Sequence, residues 1–423
     1  MTPDFSETTV AKHLVIVAYH APPLGGIAAI RVAKLAKHLA QQGWIITLVT
    51  HQAPKDAVLD TSLAAELPES VTVIPIAYTP VAQKIRKLLG KWHWASAWLN
   101  RWWVPDETLP WAWAAKRWLK NNPQLCDAIV SSSPTPVAHL IGQALKRQNP
   151  NAVWVMDLRD EWSLNPNAAT GGFIHACNKG LERQLFNDAT YIGVINEALK
   201  CKYTAVLPEA MACKLRVLPN GFDDEQMASI RALAKPKEPN APFTIAYAGS
   251  FYGNRTPEVF FAALQLLKDD GRLLPNQLHV VFYGKTKGYK PSVEGVAFTH
   301  GGVLPYEDTL KALLAADVLL HISSLPDATG GKVFDTMGLH KPMLALIHRS
   351  TPHRENDLEA FLEPTGLSTV AQYNDVEAVA AALEGLLRRW QGGDLERVQP
   401  NIDYIHQFTR QATALAFHQL LSR

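Results

Sequence analysis

Residues 327–342, DATGGKVFDTMGLHKP, combine side chains and backbone positions that suit the binding of a sugar nucleotide. Gly330 and Gly331 precede a predicted helix, whose first N–H groups are unpaired and whose dipole is positive at this end, so an anion can approach closely. Lys332 adds a full positive charge at the same point. Asp335 follows about one helical turn later and could accept hydrogen bonds from sugar hydroxyls beside the anion. The pattern predicts a site for a phosphate next to sugar hydroxyls. The alternative is an ordinary helix start with glycines for the turn and a solvated lysine, which would have the same sequence.

Gly25 and Gly26 form a second glycine pair, between a predicted strand and a predicted helix. The strand is HLVIVAY (13–19), a short apolar run typical of buried parallel strands. The helix is IAAIRVAKLAKHLAQQGW (27–44), with apolar residues three and four apart and Gly43 near its end. The same dipole argument would support an anion at this helix start. A simple strand-to-helix turn would need only one glycine.

Composition places the chain among folded proteins with more than one domain. Its 423 residues are enough for two domains that each bury a core. Hydrophobic residues make up 47% and charged residues 19%, which excludes a disordered or fibrous chain. The 41 basic and 39 acidic residues leave a net charge of only +2, so we expect no nucleic-acid partner bound through bulk charge.

Cysteine usage and the chain start indicate a cytoplasmic protein. Cys126, Cys177, Cys201 and Cys213 form no CxxC pair and have no closely spaced histidines, so no zinc site or redox motif is predicted. The first dozen residues are polar and acidic, unlike a secretion signal, and no apolar run reaches the length of a membrane span. Association with the inner face of a membrane stays open.

Residues 84–118 stand apart because they hold eight of the twelve tryptophans, mixed with lysine and arginine. Basic amphipathic stretches with tryptophan are common at membrane interfaces. The pattern therefore fits peripheral membrane contact or a lipid-linked acceptor. The same aromatic residues would also serve to cover the first domain or to line an acceptor pocket.

Strands and helices are predicted to alternate twice along the chain, on either side of a segment rich in Pro and Lys at 232–242. Alternation of this kind is typical of doubly wound α/β domains, whose ligands bind at the carboxyl ends of the strands. The predicted strands of the first half are 13–19, 45–50, 71–76, 126–132, 152–158, 190–196 and the start of 216–223. Those of the second half are 243–249, 278–284, 295–302, 317–323 and 342–347.

With these motifs in this order, the chain resembles GT-B fold glycosyltransferases, in particular the large retaining group 1, or family 4 type. The resemblance rests on YHAPPLGGIAAIRVAKLAKHLA, MDLRDEW, LPNGFD, YAGSFYGNR and GKVFDTMGLHKPMLAL, and it covers nearly the whole chain. It implies two tandem Rossmann-like domains with doubly wound parallel sheets. The acceptor-side domain would span 1–231, the linker 232–242 and the nucleotide-sugar-binding domain 243–400, with a helix at 401–423 crossing back to the first domain.

The resemblance also assigns donor contacts. In the family, a Gly-Arg element and a Lys five residues later grip the donor diphosphate. Here Ser250 stands in place of that arginine and Arg255 takes the later cationic position, so Lys332 and Arg255 would neutralise the leaving phosphate. The other donor-binding positions implied in this way are Gly25, Gly26, Gly284, Leu304, Gly330, Gly331 and Val333.

Two carboxylates match the spacing of a pair of family glutamates, and both are one methylene shorter. Asp327 would act with Lys332 and Arg255 at the transferred sugar, and Asp335 would bind the nucleotide ribose. A Pro-Asp turn also explains Asp327 without any ligand.

The segment MDLRDEW stands where many relatives carry a histidine that contacts the donor sugar. Arg159 and Asp160 are therefore candidate sugar or acceptor contacts, and so is His20, which lies near the first glycine pair. A buried Asp-Arg pair that braces the first domain is the alternative explanation of this segment.

The resemblance implies an enzyme that moves a sugar, hexosyl or similar, from a nucleotide-diphosphate sugar to a hydroxyl acceptor with retention at the anomeric carbon. It implies no metal and no cofactor, because protein cations neutralise the leaving group. The donor would be UDP- or GDP-linked, and the acceptor a glycan or a lipid-linked molecule. The alternatives are a sugar-nucleotide epimerase or hydrolase, and a GT-B protein that binds a sugar nucleotide without catalysis.

Overall fold

The computed structural model describes residues 11–54, 57, 59–81, 85, 103–165, 172–238, 240–251, 255–286, 289, 293–323, 330–348, 358–395 and 397–423. The chain divides into two compact units. Unit 1 comprises Met1–Pro219 and Arg410–Arg423, and unit 2 comprises Asn220–Thr409.

Unit 1 is built on a sheet that has seven strands among the described residues, all paired in parallel, in the order β3-β2-β1-β4-β5-β6-β7. Its central strands are almost wholly apolar and buried, as expected where helices cover both faces of a sheet. The strands are β1 (His13–Ala18), β2 (Ile45–His51), β3 (Val71–Ile76), β4 (Ala128–Ser132), β5 (Val153–Leu158), β6 (Tyr191–Val194) and β7 (Leu215–Val217).

The helices of unit 1 bury one apolar stripe each. In the first helix, Val32, Leu35, Ala36 and Leu39 follow the spacing of a helix face and are all buried. The helices are α1 (Ile27–Gln41), α2 (Thr61–Ala65), α3 (Leu109–Asn121), α4 (Val137–Gln148), α5 (Gly172–Asp188), α6 (Glu197–Thr204) and α7 (Glu209–Ala212).

Unit 2 repeats this plan with a parallel sheet that has six strands among the described residues, in the order β10-β9-β8-β11-β12-β13. The strands are β8 (Phe243–Ala248), β9 (Leu278–Tyr283), β10 (Ala297–Gly302), β11 (Val318–Ile322), β12 (Met343–Ile347) and β13 (Ser368–Gln372). The helices are α8 (Asp224–Arg231), α9 (Glu258–Asp269), α10 (Tyr306–Leu314), α11 (Gly331–Leu339), α12 (Leu358–Leu362), α13 (Val376–Gln391) and α14 (Ile402–His406), with a 3₁₀ turn at Glu363–Thr365.

Each sheet has a topological switch point, where the strand order reverses direction. In unit 1 the switch lies between β1 and β4, and in unit 2 between β8 and β11. Ligands of doubly wound sheets bind outside the carboxyl ends of the strands at such points. These two places are therefore where functional side chains are expected.

The last helix of the chain, α15 (Arg410–Leu421), belongs to unit 1. Its buried Phe417 joins the apolar cluster beneath α1, and the indole of Trp44 donates a 3.0 Å hydrogen bond to His418 Nδ1. The predicted return of the chain to the first domain is thus seen for this helix. None of the helices in the described ranges is both long enough and apolar enough to cross a membrane.

The chain passes from unit 1 to unit 2 after Pro219, which is earlier in the sequence than the predicted linker at 232–242. The helix α8 packs on α11 within unit 2, and Phe222 and Met227 lie against Gly338 so closely that a Cβ there would be 2.7–2.8 Å from them. Arg231 also donates a hydrogen bond to the Gly338 carbonyl. These contacts place the change of unit at Pro219, ahead of the segment rich in Pro and Lys.

Candidate functional site

In unit 2 the two strands at the switch point bring Gly249 and the helix α11 together. Gly249 directly follows β8, and α11 follows β11, the strand paired in parallel with β8. The Lys332 side chain consequently lies against Gly249. A Cβ added to Gly249 would be 1.4 Å from Lys332 Nζ, and the φ angle of Gly249 is +146°, in a region that favours glycine.

The half-buried Lys332 lies over an aromatic ring and has no carboxylate partner among the residues that the structure describes. Its Nζ lies 4.7 Å from the ring centroid of the buried Tyr247 and donates a long, 3.4 Å hydrogen bond to the Tyr247 hydroxyl. Burial, first, and the nearby Arg255 lower the pKa of Lys332 to about 8, although Asp335 opposes the shift. Within the described part of the chain, Lys332 forms no ion pair.

Prediction from sequence missed His321, which lies near the end of β11 and is 6% exposed. Its Nε2 atom is buried and has no hydrogen-bond partner among the described residues. Burial lowers the pKa of His321 to about 3, with Lys332 and Arg255 adding to the effect, so the imidazole is neutral. A histidine inside the apolar run DVLLHIS was the only signal in the sequence.

The helix α11 begins at the glycine pair Gly330–Gly331. Gly330 is its N-cap and supplies no side-chain cap, and no acidic residue lies in the first turn. Val333 is buried in the core, so its contribution to a ligand would come from the backbone. Asp327, predicted to act at the transferred sugar, lies outside the described residues.

Asp335 is held in place by a tyrosine that sequence reasoning did not select. The hydroxyl of Tyr306, the first residue of α10, donates a 2.6 Å hydrogen bond to Asp335 Oδ1. This bond fixes the orientation of the carboxylate on the helix that also carries Lys332. The sequence around Tyr306, GVLPYED, does not indicate this hydrogen bond, because Tyr306 and Asp335 lie on two different helices.

Gly284 shapes the site through its backbone. Its φ is +106°, and a Cβ there would lie 2.4 Å from the carbonyl oxygen of Gly249. Its amide donates a 2.6 Å hydrogen bond to the carbonyl of Gly302 at the end of β10. Leu304 follows in the loop before α10 and is half-buried. These positions can therefore offer backbone groups, in keeping with their predicted role as lining.

Ser250 and Arg255 lie on opposite sides of a short undescribed stretch, 252–254. The Ser250 carbonyl accepts a long, 3.4 Å hydrogen bond from the Tyr247 hydroxyl, which ties the loop after β8 to the ring beneath Lys332. Arg255 is half-buried and close enough to shift the pKa of both Lys332 and His321 downward. Arg255 is therefore near Lys332, and its contact with a diphosphate stays a prediction.

In unit 1 the first glycine pair marks the start of α1. Gly26 is the N-cap of α1 with a φ of +98°, again without a side-chain cap or an acidic residue in the first turn. No atom of the described residues lies within 4 Å of the point where a Cβ on Gly26 would be. Beside Gly25, the carboxylate of Asp60 accepts hydrogen bonds from Leu63 N and Ser62 Oγ at the start of α2.

The buried Asp-Arg pair considered for MDLRDEW exists, with a different arginine. The fully buried Asp157 pairs with Arg31 of α1 at 3.0 Å and accepts a 2.7 Å hydrogen bond from Ser132 Oγ. Arg159 instead points to α1, where it donates a 3.2 Å hydrogen bond to the Ala28 carbonyl, and Asp160 is exposed. The brace is therefore Arg31–Asp157, and Arg159 is not part of it.

His20 lies next to a packed aromatic group at the carboxyl ends of β1 and β2. The rings of Tyr19 and His51 stack 3.8 Å apart, and the Tyr19 hydroxyl is hydrogen-bonded to that of Tyr78 at 2.6 Å. Burial lowers the pKa of His20, and so do His51 and Arg159. His20 is consequently a neutral side chain near the first glycine pair at pH 7.

The predicted residues thus fall into two groups. In unit 2 the structure brings Lys332, Arg255, Asp335, Gly249 and Gly284 to one edge of the sheet. In unit 1 it brings Gly25, Gly26, His20 and Arg159 to the equivalent edge.

No protein-family model and no curated protein sequence matches the chain. Solved structures do resemble it over nearly its full length. Sucrose-phosphate synthase from Thermosynechococcus elongatus has 18% identity and a TM-score of 0.61, covering 97% of this chain and 98% of that one. HepE from Anabaena, solved with UDP-glucose, has 13% identity and a TM-score of 0.62 over 97% and 99%. WaaG, a glycosyltransferase of lipopolysaccharide biosynthesis, has 14% identity and a TM-score of 0.57 over 96% and 99%.

At these identities the likeness concerns the fold. The two parallel α/β sheets, with seven and six strands among the described residues, match the architecture of these proteins. The fold predicted from the sequence motifs is confirmed, and the chain has the GT-B fold.

Proposed function

We propose that this protein transfers a glycosyl unit from a nucleotide-diphosphate sugar to an acceptor hydroxyl. The observation that carries the proposal is the half-buried Lys332, which forms no ion pair with any of the described residues and lies near a second cation, Arg255. Burying a charged group that has no ion-pair partner costs roughly several kcal/mol of desolvation free energy. A diphosphate placed at the start of α11 would supply the missing negative charge.

The chemistry follows from this position. The bond between the anomeric carbon and the diphosphate oxygen breaks, and a bond from the acceptor oxygen to that carbon forms. Negative charge develops on the leaving diphosphate, where Lys332, Arg255 and the first amides of α11 stabilise it. The acceptor proton passes to the leaving phosphate. Protein cations take the part that a metal ion plays in other transferases, and the configuration at the anomeric carbon is retained.

The remainder of the donor has candidate contacts on the same edge of unit 2. Asp335, oriented by Tyr306, would accept hydrogen bonds from the ribose hydroxyls. The backbone around Gly284 and Leu304 would accept the base. The structure of HepE with UDP-glucose supports a UDP-linked donor, and GDP- and ADP-linked sugars are the alternatives to test.

The acceptor we propose is a glycan or a lipid-linked molecule, as the involvement of WaaG in lipopolysaccharide biosynthesis suggests for a protein of this fold. On α3, Trp113 is 56% exposed and lies 6.3 Å from the ring of Trp103. Exposed tryptophans beside basic residues suit contact with a membrane surface. Most of the tryptophan-rich segment, 86–102, lies outside the described residues.

One observation favours a second candidate, a protein that binds a sugar nucleotide without transferring it. Ser250 stands where the family's arginine would be, and Asp335 is one methylene shorter than the family glutamate. Fewer cations at the leaving group would slow departure of the diphosphate more than they would weaken binding.

A screen of UDP-, GDP- and ADP-sugars separates these possibilities. Ligand binding should raise the unfolding temperature, because a ligand that binds only the folded state stabilises it. Mass spectrometry of each hit, with and without a glycan or lipid-linked acceptor, then measures turnover. Acceptor-dependent loss of donor supports the transferase. Binding without turnover supports the second candidate, rapid consumption without acceptor indicates an epimerase or hydrolase, and no stabilisation by any nucleotide contradicts both proposals.

A further inference from the structure

The ammonium of Lys332 lies over the ring of Tyr247, the next-to-last residue of β8. Its Nζ atom is 4.7 Å from the ring centroid, and a cation within about 6 Å of a centroid is attracted by the electron-rich face of the ring. Tyr247 is buried, and such contacts are stronger where the groups are withdrawn from water. The ring therefore attracts a cation that forms no ion pair with any of the described residues.

The charged groups near Lys332 do little to hold its ammonium at this point. Arg255 is a cation and lowers the pKa of Lys332, as burial does. His321 is neutral, because burial lowers its pKa to about 3. Asp335 opposes the shift of Lys332 without forming an ion pair with it. The face of Tyr247 is thus the electron-rich surface that the described structure places in contact with the ammonium.

Two further aromatic rings fix the orientation of Tyr247. Phe251 stacks with it at a centroid distance of 4.7 Å and an interplanar angle of 14°. Phe282 of β9 meets it edge to face at 5.6 Å. All three side chains are buried, and aromatic pairs in these arrangements stabilise each other beyond the burial of their area. The ring is consequently a rigid surface, whereas the four-carbon stem of a lysine is flexible.

The hydroxyl of Tyr247 contributes less than its ring. Lys332 Nζ donates a hydrogen bond to it at 3.4 Å, and it donates one to the Ser250 carbonyl, also at 3.4 Å. Both distances lie beyond the range of about 2.5–3.2 Å in which most protein hydrogen bonds fall, so both bonds are weak. Removal of the hydroxyl alone should therefore have a small effect on Lys332, and removal of the ring a large one.

We infer that Tyr247 is a positioning residue of the proposed transferase: its ring holds the Lys332 ammonium beside Gly249, so that the cation is in place before the donor diphosphate binds. Gly249 leaves the space for Nζ, and Tyr247 supplies the surface that keeps it there. Without the ring, binding would also have to order the flexible lysine side chain, at a cost in entropy. This role rests on the proposed function, because it assumes a diphosphate at the start of α11, whereas the contact between ring and ammonium can be measured without any ligand.

An NMR titration of the unliganded full chain, labelled with ¹³C at the lysine Cε atoms, tests the contact directly. The signal that disappears in Lys332→Met belongs to Lys332. Because the ring face favours the charged ammonium, the pKa of Lys332 should fall from about 8 by roughly one unit in Tyr247→Leu. Tyr247→Phe keeps the ring and should leave this pKa nearly unchanged. An unchanged or raised pKa in Tyr247→Leu overturns the inference.

Phe261→Leu is the matched control, because it also removes a ring that contacts Phe282. Phe261 lies on α9, with its ring centroid 5.8 Å from that of Phe282. This variant and Tyr247→Leu should both unfold at a lower temperature, since each leaves a smaller side chain in the core. Only Tyr247→Leu should change the pKa of Lys332, and equal changes in both would show a general loosening of the core and contradict the inference. If Tyr247→Leu does not fold, Tyr247→Met replaces it, since methionine fills more of the space without a ring.

A double-mutant cycle with UDP as the probe shows whether Tyr247 acts through Lys332. Tyr247→Leu should weaken UDP binding at pH 7 by roughly tenfold, as expected when a charged hydrogen bond is impaired, and Tyr247→Phe should restore most of the affinity. In a chain that already carries Lys332→Met, Tyr247→Leu should cause no further loss. A further loss of similar size would show that the ring acts on the nucleotide by another route and would overturn the inference.

Failure of the proposed function would appear separately from failure of this role. A wild-type chain that binds no nucleotide sugar and shows no turnover would overturn the transferase, and with it the role of Tyr247 in transfer, even if the NMR titration shows the contact between ring and ammonium. A wild-type chain with turnover whose kcat and KM are unchanged in Tyr247→Leu would keep the transferase and overturn only the role of Tyr247.

Discussion

The ammonium nitrogen of Lys332 occupies the space that a side chain at position 249 would fill. The distance from Nζ to an ideal Cβ on Gly249 is 1.4 Å, and Cε would be 2.5 Å from the same point. The glycine after β8 is therefore a condition for the lysine of α11 to reach the strand end. Both residues belong to unit 2, so this relationship holds within one sheet and its helices.

Gly249→Ala should displace Lys332 and weaken UDP binding by roughly tenfold or more, since a charged hydrogen bond is lost. Strain at the positive φ should also lower the free energy of unfolding by about 1–3 kcal/mol. Gly271→Ala is the matched control, because Gly271 has a φ of +69° and open space around it, after α9. It should lose stability with UDP affinity unchanged. Equal UDP affinity in both variants would contradict the assignment.

Lys332→Met should lower kcat by about 10²–10³-fold, the effect of removing one group that stabilises the charge of the transition state. The unfolding temperature should stay the same or rise, because the variant keeps a similar volume and removes a half-buried charge that has no ion pair in the described ranges. Steady-state kinetics and thermal unfolding measure the two effects. Wild-type turnover in a folded Lys332→Met chain would remove the basis of the proposed function.

Donor affinity should depend on pH through Lys332. The charged form binds the diphosphate, and burial first, then Arg255, lower its pKa to about 8 in the unliganded chain. The association constant of UDP should therefore be level below pH 8 and fall above it, by at most about tenfold per pH unit. Calorimetric titrations of UDP binding from pH 6 to pH 10 measure this fall in the association constant. Lys332→Arg should abolish it, because arginine stays charged over this range.

The same pKa shift acts on stability in the opposite direction. The folded chain binds the Lys332 proton less tightly than the unfolded chain, whose lysine has its ordinary pKa of 10.5. Between about pH 8 and pH 10.5 the unfolded state therefore holds more protons, and the free energy of unfolding should rise with pH. The difference between wild type and Lys332→Met isolates this contribution. A difference that falls with pH would contradict the shift.

Much of the fold follows from short apolar runs that the sequence displays openly. HLVIVA and LHVVFY, for example, are strands with nearly the predicted ends, because β-branched and aromatic residues fill buried parallel strands. The strand β13 and the helix α13 were not predicted. β13 reads STVAQ and is only partly buried at the sheet edge, so it lacks the continuous apolar signal of the other strands.

The site was predictable where one local motif carries the chemistry, as in GGK followed by Asp335. It was not predictable where residues from distant parts of the chain meet. Tyr306 orients Asp335 from another helix, and His321 is buried beside Lys332 on a neighbouring strand. The pairing of Asp157 with Arg31 rather than Arg159 depends on how α1 packs over the sheet. Tertiary packing decides such contacts, and local sequence does not encode them.

The variant Tyr306→Phe tests whether Asp335 accepts hydrogen bonds from the ribose hydroxyls of the nucleotide. The variant removes the 2.6 Å hydrogen bond to Oδ1, so the carboxylate loses its fixed orientation while the ring is kept. Affinity for UDP should fall by roughly two- to tenfold, the usual effect of one hydrogen bond, and affinity for 2′-deoxy-UDP should change less. Tyr404→Phe is the control, since its hydroxyl donates a 2.9 Å hydrogen bond to the Phe361 carbonyl elsewhere in unit 2. If both nucleotides weaken equally, Asp335 does not contact the 2′-hydroxyl, and the ribose must be bound by other groups of the site.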